Sequence, residues 1–189
     1  DSNSLYQQSK FSGEQKALAN FKNTVIIRPS VVCGNEDNFT NLFAKLSLSP
    51  VIPVIKPDYK FQPILVDDVA TAIVKAIEVK KNEGKIYEIG GPTTISFRDM
   101  IKSIVSTIGK KRFIVEMPMP LAKVQAALFS LMPKPLLTKD QCEILNEADN
   151  VVSSNHLTLE DLNIKPTDVQ KAMPKWLWRF RSGGEFAKI

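Results

Sequence analysis

Cysteine and histidine are scarce in this chain of 189 residues: two cysteines, Cys33 and Cys142, and one histidine, His156. The two thiols stand far apart, with no second ligand at CxxC spacing. That argues against a disulfide framework and a zinc site, and it points to a reducing compartment. One imidazole argues against a His-rich metal centre and against a serine-protease-type triad, so no metal is expected. No apolar run approaches the ~20 residues that a membrane-spanning helix needs. Charge of one sign is also thin. The formal net charge is +5, and the longest basic run, Lys110-Lys111-Arg112, reads as a solvated turn and not as a nucleic-acid-binding face. The first residue is Asp1, and no basic segment followed by an apolar stretch opens the chain, so no signal peptide is read.

What is present is an alternation of helical and strand patterns. Tyr6 to Phe21 reads as a helix of good formers, with Ser9, Gly13 and Ala17 making a stripe of small residues that permits close approach of a neighbour. The β-branched run Thr24 to Arg28 reads as a strand ended by Pro29. Phe39 to Leu48 reads as a short amphipathic helix. Val51 to Ile55 reads as a strand weakened by its prolines. After Ile64-Leu65-Val66, Asp67 is expected to cap a helix reaching about Val79, with Val69, Ala70, Ile73, Val74 and Ile77 on its inner face. Lys85 to Ile89 reads as another strand.

Ser96 and Asp99 open the most regular helix, whose apolar positions are Phe97, Met100, Ile101, Ile104, Val105 and Ile108; Gly109 stops it. Arg112 to Val115 reads as a strand. Beyond it, helices are expected from Leu121 to about Met132, after Thr138 with its partner Gln141, and after Thr158 with Asp161. A further helical stretch is read over Thr167 to Met173. Strands alternating with helices imply βαβ units and a parallel sheet. The expected fold is therefore α/β: the C-terminal half of a Rossmann-like doubly wound parallel sheet over residues 1–116, then a smaller, mainly helical substrate or docking domain over 117–189.

Tyr6 and Lys10 lie four residues apart on one helix, so their Cβ atoms fall about 5–6 Å apart on one face. A phenol titrates near ~10 and exchanges protons poorly at neutral pH. A nearby ammonium favours the phenolate, and the tuned phenol can pass a proton to or from a carbonyl while a hydride moves. Asp67-Asp68 reads as helix capping and His156 as exposed. Cys33 reads as a small buried residue. The aromatic and basic tail from Trp176 to Arg181 suits a membrane surface, a partner protein or simple packing.

The Tyr6–Lys10 helix is followed by Arg28-Pro29-Ser30-Val31-Val32-Cys33-Gly34, by Phe61-Gln62-Pro63-Ile64-Leu65-Val66-Asp67-Asp68-Val69-Ala70, and by Tyr87-Glu88-Ile89-Gly90-Gly91-Pro92. In that order the segments resemble the C-terminal half of an extended or atypical short-chain dehydrogenase/reductase, a superfamily that includes nucleotide-sugar epimerases and dehydratases. Ser96-Phe97-Arg98-Asp99-Met100-Ile101, Leu137-Thr138-Lys139-Asp140-Gln141 and Asp149-Asn150-Val151-Val152-Ser153 resemble the Rossmann-fold accessory subunit of respiratory complex I and its bacterial relatives.

The resemblance implies a catalytic Tyr6, with Lys10 as its partner and ribose ligand. It implies that Pro29, Ser30, Val31 and Val32 pass beside the nicotinamide of NAD or NADP, and that Phe61 and Gln62 border the substrate cleft. Ser2 and Ser4 stand too near Tyr6 to be the family's carbonyl-polarising hydroxyl. No GxGxxG or GxxGxxG occurs among the eight glycines, so the pyrophosphate cradle is expected in an N-terminal half that this fragment lacks.

Three functions follow from the resemblance: a complex I subunit holding NAD(P)H without turnover, an active NAD(P)-dependent oxidoreductase, or a nucleotide-sugar epimerase. The implied partners are a dinucleotide and complex I subunits, with a possible membrane-surface contact through the tail and no nucleic acid. The implied location is the cytoplasm, on or off the inner membrane, in a bacterium, and the matrix side of the mitochondrion in a eukaryote.

Overall fold

The computed structural model describes residues 2–78, 83–130, 135, 137–153 and 155–186. Helix α1 (Leu5–Asn20) starts where the Ser4 hydroxyl accepts from the Gln7 amide at 3.3 Å. It leads to strand β1 (Ile26–Pro29), which lies parallel to β6 (Ile86–Ile89), with Ile26 opposite Ile86 and Pro29 opposite Ile89. A parallel pair needs a long crossover. The intervening chain supplies it, and with it most of the remaining structure. Strand β2 (Val32–Cys33) runs parallel to β5 (Ile64–Leu65), and β3 (Val51–Ile55) parallel to β8 (Phe113–Met117). Strand β4 (Lys60–Phe61) runs antiparallel to β7 (Ile95–Ser96). Among the described residues β3 pairs with β8 alone, so Pro53 sits in an edge strand, where its missing N–H costs nothing.

Helix α4 (Phe97–Thr107) forms as its pattern dictates. The Asp99 amide donates to Ser96 Oγ at 3.1 Å, five apolar side chains of the helix are buried, and Gly109 ends it at φ +72°. That face packs on α2 (Thr40–Leu46), where Phe39, Phe43, Phe61, Phe97 and Tyr59 meet edge-on or stacked at centroid separations of 5.0–5.8 Å. Helix α5 (Met119–Phe129) begins two residues earlier than expected; its expected end at Met132 lies outside the described residues. Helix α6 (Lys139–Asn146) carries the full Thr138–Gln141 capping box.

The segment after residue 116 is interleaved with the first. Its backbone bridges Phe61 to Asn150 and Tyr87 to Leu157. One core cluster joins residues between Cys33 and Ile108 to residues between Val169 and Phe180. The tail forms α7 (Val169–Ala172) and α8 (Pro174–Leu177), with Trp176, Leu177 and Phe180 buried and Trp178 exposed. Of the roles open to this segment, packing is the one its buried aromatics serve. No helix of the described residues is long and apolar enough to cross a membrane.

Several local expectations need correction. Helix α3 (Val66–Glu78) starts directly after β5, so Asp67 lies inside its first turn and does not cap it. Its buried face is Asp68, Ala72 and Ala76, with Val69 half-buried, while Ile73, Val74 and Ile77 are 44%, 53% and 78% exposed. Periodicity locates an apolar stripe but does not say what covers it. Among the described residues the alanine side meets the cluster around Ile64, Tyr87 and Leu162, and the valine-isoleucine side meets no comparable cluster. Similarly, α1 buries no residue, and a Cβ on Gly13 would meet no atom within 4 Å, so at Gly13 the small-residue stripe has no neighbour among the described residues. His156 is half-buried, with Nδ1 3.1 Å from Glu88 Oε1, and the expected helix after Thr158 is a single 3-10 turn, Glu160–Leu162.

Burial raises the phenol pKa of both Tyr59 and Tyr87; the nearby carboxylates of Asp149 and Glu147 add to the effect at Tyr59, and Asp161 adds to it at Tyr87. A folded-state pKa above the unfolded value of ~10 means that the stabilisation is complete below pH ~10 and is lost as pH rises through the folded pKa. Two of the three tyrosines are therefore expected to ionise only as the chain unfolds in alkali. Phenolate absorbance followed alongside circular dichroism checks this. Free titration of both buried phenols in a native-like spectrum would contradict it.

Candidate functional site

Tyr6 sits in the first turn of α1, 56% exposed, and Lys10 Nζ lies over its ring, 5.5 Å from the centroid. The helix end that carries them is held from far along the sequence. Ser4 Oγ donates to Asp140 Oδ2 at 2.9 Å, the Leu5 amide donates to Asp140 Oδ1 at 2.7 Å, and Ser2 Oγ donates to Glu147 Oε1 at 2.5 Å. Ser2 and Ser4 are thus spent on anchoring the helix. The middle of α1 is tied to the sheet by Arg28, which donates to Glu14 at 2.6 Å and to Glu88 at 3.2 Å. The Glu14 hydrogen bond is the largest influence on the guanidinium and raises its pKa, so Arg28 stays charged. These tethers aim the phenol and the ammonium at solvent beside the N-terminus of α6.

The residues of the Pro29–Val32 segment divide. Pro29 ends β1 and is exposed, and Val32 is half-buried in β2 opposite Ile64. Ser30 is buried; its hydroxyl donates to the Asn150 carbonyl at 3.0 Å and accepts from the Gln62 amide at 3.3 Å. Gln62 is fully engaged, its Nε2 donating to the Gly91 carbonyl at 2.8 Å and its Oε1 accepting from the Val152 amide at 3.1 Å. The structure brings Ser30 and Gln62 together as a clamp on the segment around Asn150. Sequence reading missed that role for Gln62, and nothing in the local pattern signals it.

Val31 and Phe61 meet elsewhere. Both line a cavity of about 460 Å³ between α2, β3, the Phe97 end of α4, α5 and α6. Its polar lining consists of Asn38, Tyr59, Gln125, Gln141 and Asn150, and none of the described residues lining it is charged. Tyr59 Oη is spent on the Ala148 carbonyl at 2.9 Å, and Gln141 Oε1 on the Thr138 amide at 2.9 Å. Tyr6, Lys10, Pro29, Ser30, Val32 and Gln62 are not among the residues that line it. Cys33 lies buried beneath this region, and burial raises its thiol pKa far above neutrality, which keeps it protonated and inert.

A dinucleotide also needs a place for its pyrophosphate, which helix N-termini and glycine turns provide. Here most helix starts are taken; α5 opens without a side-chain cap, and Pro120 in its first turn removes one N–H donor. Asp140 reaches the start of α1, Asp37 accepts from the Thr40 amide and hydroxyl at the start of α2, and Asp67 and Asp68 fill the first turn of α3. Ser96 with Asp99 takes the start of α4, and Thr138 with Gln141 the start of α6. Gly90 and Gly91 serve internal packing, since a Cβ on Gly91 would lie 2.1 Å from the Pro63 carbonyl oxygen. Asp68, read from sequence as a cap, instead accepts from the Thr167 amide at 2.7 Å and hydroxyl at 3.1 Å, fastening α3 to the C-terminal segment. Apart from the uncapped start of α5, the helix starts and glycine turns of the described residues leave no open place for a pyrophosphate.

Residues 2–182 match the model of the RmlD substrate binding domain, and the chain belongs to that family. Among curated proteins it is 30% identical over 193 residues to the "NADH dehydrogenase [ubiquinone] 1 alpha subcomplex subunit 9, mitochondrial" of Dictyostelium discoideum, covering all of this chain and 54% of that protein. The mouse protein of the same name is 32% identical over 186 residues, covering 96% of this chain and 48% of that one. The chain thus spans about half the length of these relatives.

Among solved structures, dTDP-4-dehydrorhamnose reductase from Bacillus anthracis in complex with NADP superposes with a TM-score of 0.62 at 18% identity, covering 90% of this chain and 53% of that one. The dTDP-glucose 4,6-dehydratase of the same organism, in complex with NAD, gives 0.65 at 16%, covering 93% and 51%. These establish the α/β fold as that of Rossmann-type reductases and dehydratases.

Proposed function

We propose that the protein carrying this chain is a nicotinamide-dinucleotide-binding subunit of respiratory complex I, in which the bound dinucleotide supports the fold and is not turned over. In that reading Lys10 Nζ reaches the ribose hydroxyls, Tyr6 Oη lies beside the nicotinamide, and Pro29 to Val32 flank the ring. The phosphate-binding turn is supplied by sequence outside these residues. The likeness to complex I subunits supports the assignment, as do the exposed apolar residues of α1 and α3. For a eukaryotic source the relatives favour the mitochondrion, and the reading places the protein on the matrix side.

The observation that carries the reading is the cavity. A nucleotide sugar brings two phosphate charges; the described lining residues include no cation to receive them and neither Tyr6 nor Lys10, and Lys45 and Arg179 belong to the adjoining cleft. That weighs against an epimerase or a nucleotide-sugar reductase. The retained Tyr6–Lys10 geometry keeps an active reductase as the second reading, with Tyr6 Oη as the group that gives or takes the proton.

Tyr6→Phe in the complete protein separates the two. Under the first reading dinucleotide affinity and assembly stay within about twofold, since one exposed hydroxyl is worth little, and there is no reductase activity to lose. A wild-type turnover that falls by about 10²–10⁴-fold in the variant would establish the reductase instead.

A further inference from the structure

The cavity asks for a ligand of its own. At about 460 Å³ it has the size of small-molecule sites, which run from roughly 300 to 1,000 Å³. Its walls are mostly aromatic and aliphatic, and its polar groups are neutral amides and one phenol already committed to the backbone. Protein interiors are close-packed, and this space, walled on about half of its sides and open to solvent on the rest, leaves its aromatic and aliphatic walls without dispersion partners. A charged occupant would have to shed its water against described lining residues that carry no counter-charge, which is unfavourable. A flexible hydrocarbon chain meets neither penalty and gains from each methylene buried.

A second, polar cleft of about 500 Å³ shares Asn38, Leu42 and Gln141 with the first and carries Lys45 and Arg179 beside Glu36 and Asp37. It gives the polar end of such a molecule a route to water.

We propose that the cavity between α2, β3, α5 and α6 binds the hydrocarbon chain of a single-chain lipid, acyl or isoprenoid, with its head group toward the Asn38–Gln141 edge. The proposal does not rest on the dinucleotide reading, because Tyr6 and Lys10 take no part in it.

The test uses the full-length protein that contains this chain and the fluorescent fatty acid cis-parinaric acid. The probe is expected to bind and to be displaced by oleic acid or by geranylgeraniol but not by UDP-glucose; whichever of the two lipids displaces it more strongly identifies the source of the chain. Leu42→Trp and Leu145→Trp, which fill the cavity from half-buried positions, are each expected to weaken the probe by about tenfold or more while cooperative melting is kept.

A diazirine-bearing fatty acid on the wild-type protein provides a readout that needs no variant, and its adducts are expected on peptides containing residues 39–46 and 141–145. The proposal is overturned by absence of probe binding, by displacement with UDP-glucose, by unchanged affinity in both folded variants, or by adducts confined to other peptides.

Discussion

Gly91→Ala is expected to cost about 3–5 kcal/mol, enough to lower the melting temperature by roughly 10 °C or to leave the chain unfolded. The added Cβ would lie 2.1 Å from the Pro63 carbonyl oxygen, and a backbone oxygen in a clamped segment has nowhere to go. The segment is clamped because Gln62 binds the Gly91 carbonyl on one side and the Val152 amide on the other, and because the Gly91 amide donates to the Gln62 carbonyl at 3.3 Å. Forcing it apart would part the end of β6 from the Ser30–Gln62–Asn150 junction, and so disturb both the Pro29–Val32 segment and the Phe61 wall of the cavity. Gly13→Ala is the control. Nothing lies within 4 Å of the new methyl, and alanine is favoured over glycine in a helix by about 1 kcal/mol, so a neutral or stabilising result is expected. Thermal melts of the two variants decide the matter; a tolerated Gly91→Ala would show that the junction is loose.

Trp176→Ala is expected to cost about 3–5 kcal/mol, the range for removing a buried aromatic side chain. The indole is 5% exposed, packs in the same cluster as Met100, Ile104 and Phe43, and donates from Nε1 to Thr40 Oγ1 at 3.0 Å. Thr40 Oγ1 in turn is the group that Asp37 holds at the start of α2, so the loss reaches the helix that walls the cavity. Trp176→Phe keeps most of the volume and loses the hydrogen bond, and about 1–2 kcal/mol is expected. Denaturant unfolding of the two variants measures the difference. Wild-type stability in Trp176→Ala would mean that the tail is an appendage and not part of the core.

Much of the architecture is legible in the chain because local chemistry and tertiary structure agree there. The Ser96–Asp99 start, the apolar spacing from Phe97 to Ile108 and the Thr138–Gln141 box each name a helix that the packing then uses. The β-branched run ending at Pro29 and the run ending at Ile89 name two strands, and their parallel pairing follows from the helices between them.

What was not legible is what covers each face. The stripe on α3 is as apolar toward solvent at Ile77 as it is toward the core at Ala76, and no local rule distinguishes the two. The cavity was equally hidden. Val31 and Phe61 enter it from strands far apart in sequence, and its uncharged character depends on α5 and α6, whose own patterns say only that they are helices. Tyr6 and Lys10 were legible as a pair because four residues make one helical turn. Gln62 and Asp68 were legible only as polar residues, since their partners at Val152 and Thr167 come from distant loops.

Central to the account is the claim that these residues hold the nicotinamide side of a dinucleotide site whose phosphate cradle lies elsewhere. Isothermal titration of NADH and NADPH into the isolated 189-residue chain, and into a longer protein that includes the upstream sequence, tests it most directly. No heat of binding is predicted for the isolated chain, and saturable binding with a Kd on the order of micromolar for the longer one. Micromolar binding by the isolated chain would contradict the account, and so would a longer protein that binds neither nucleotide.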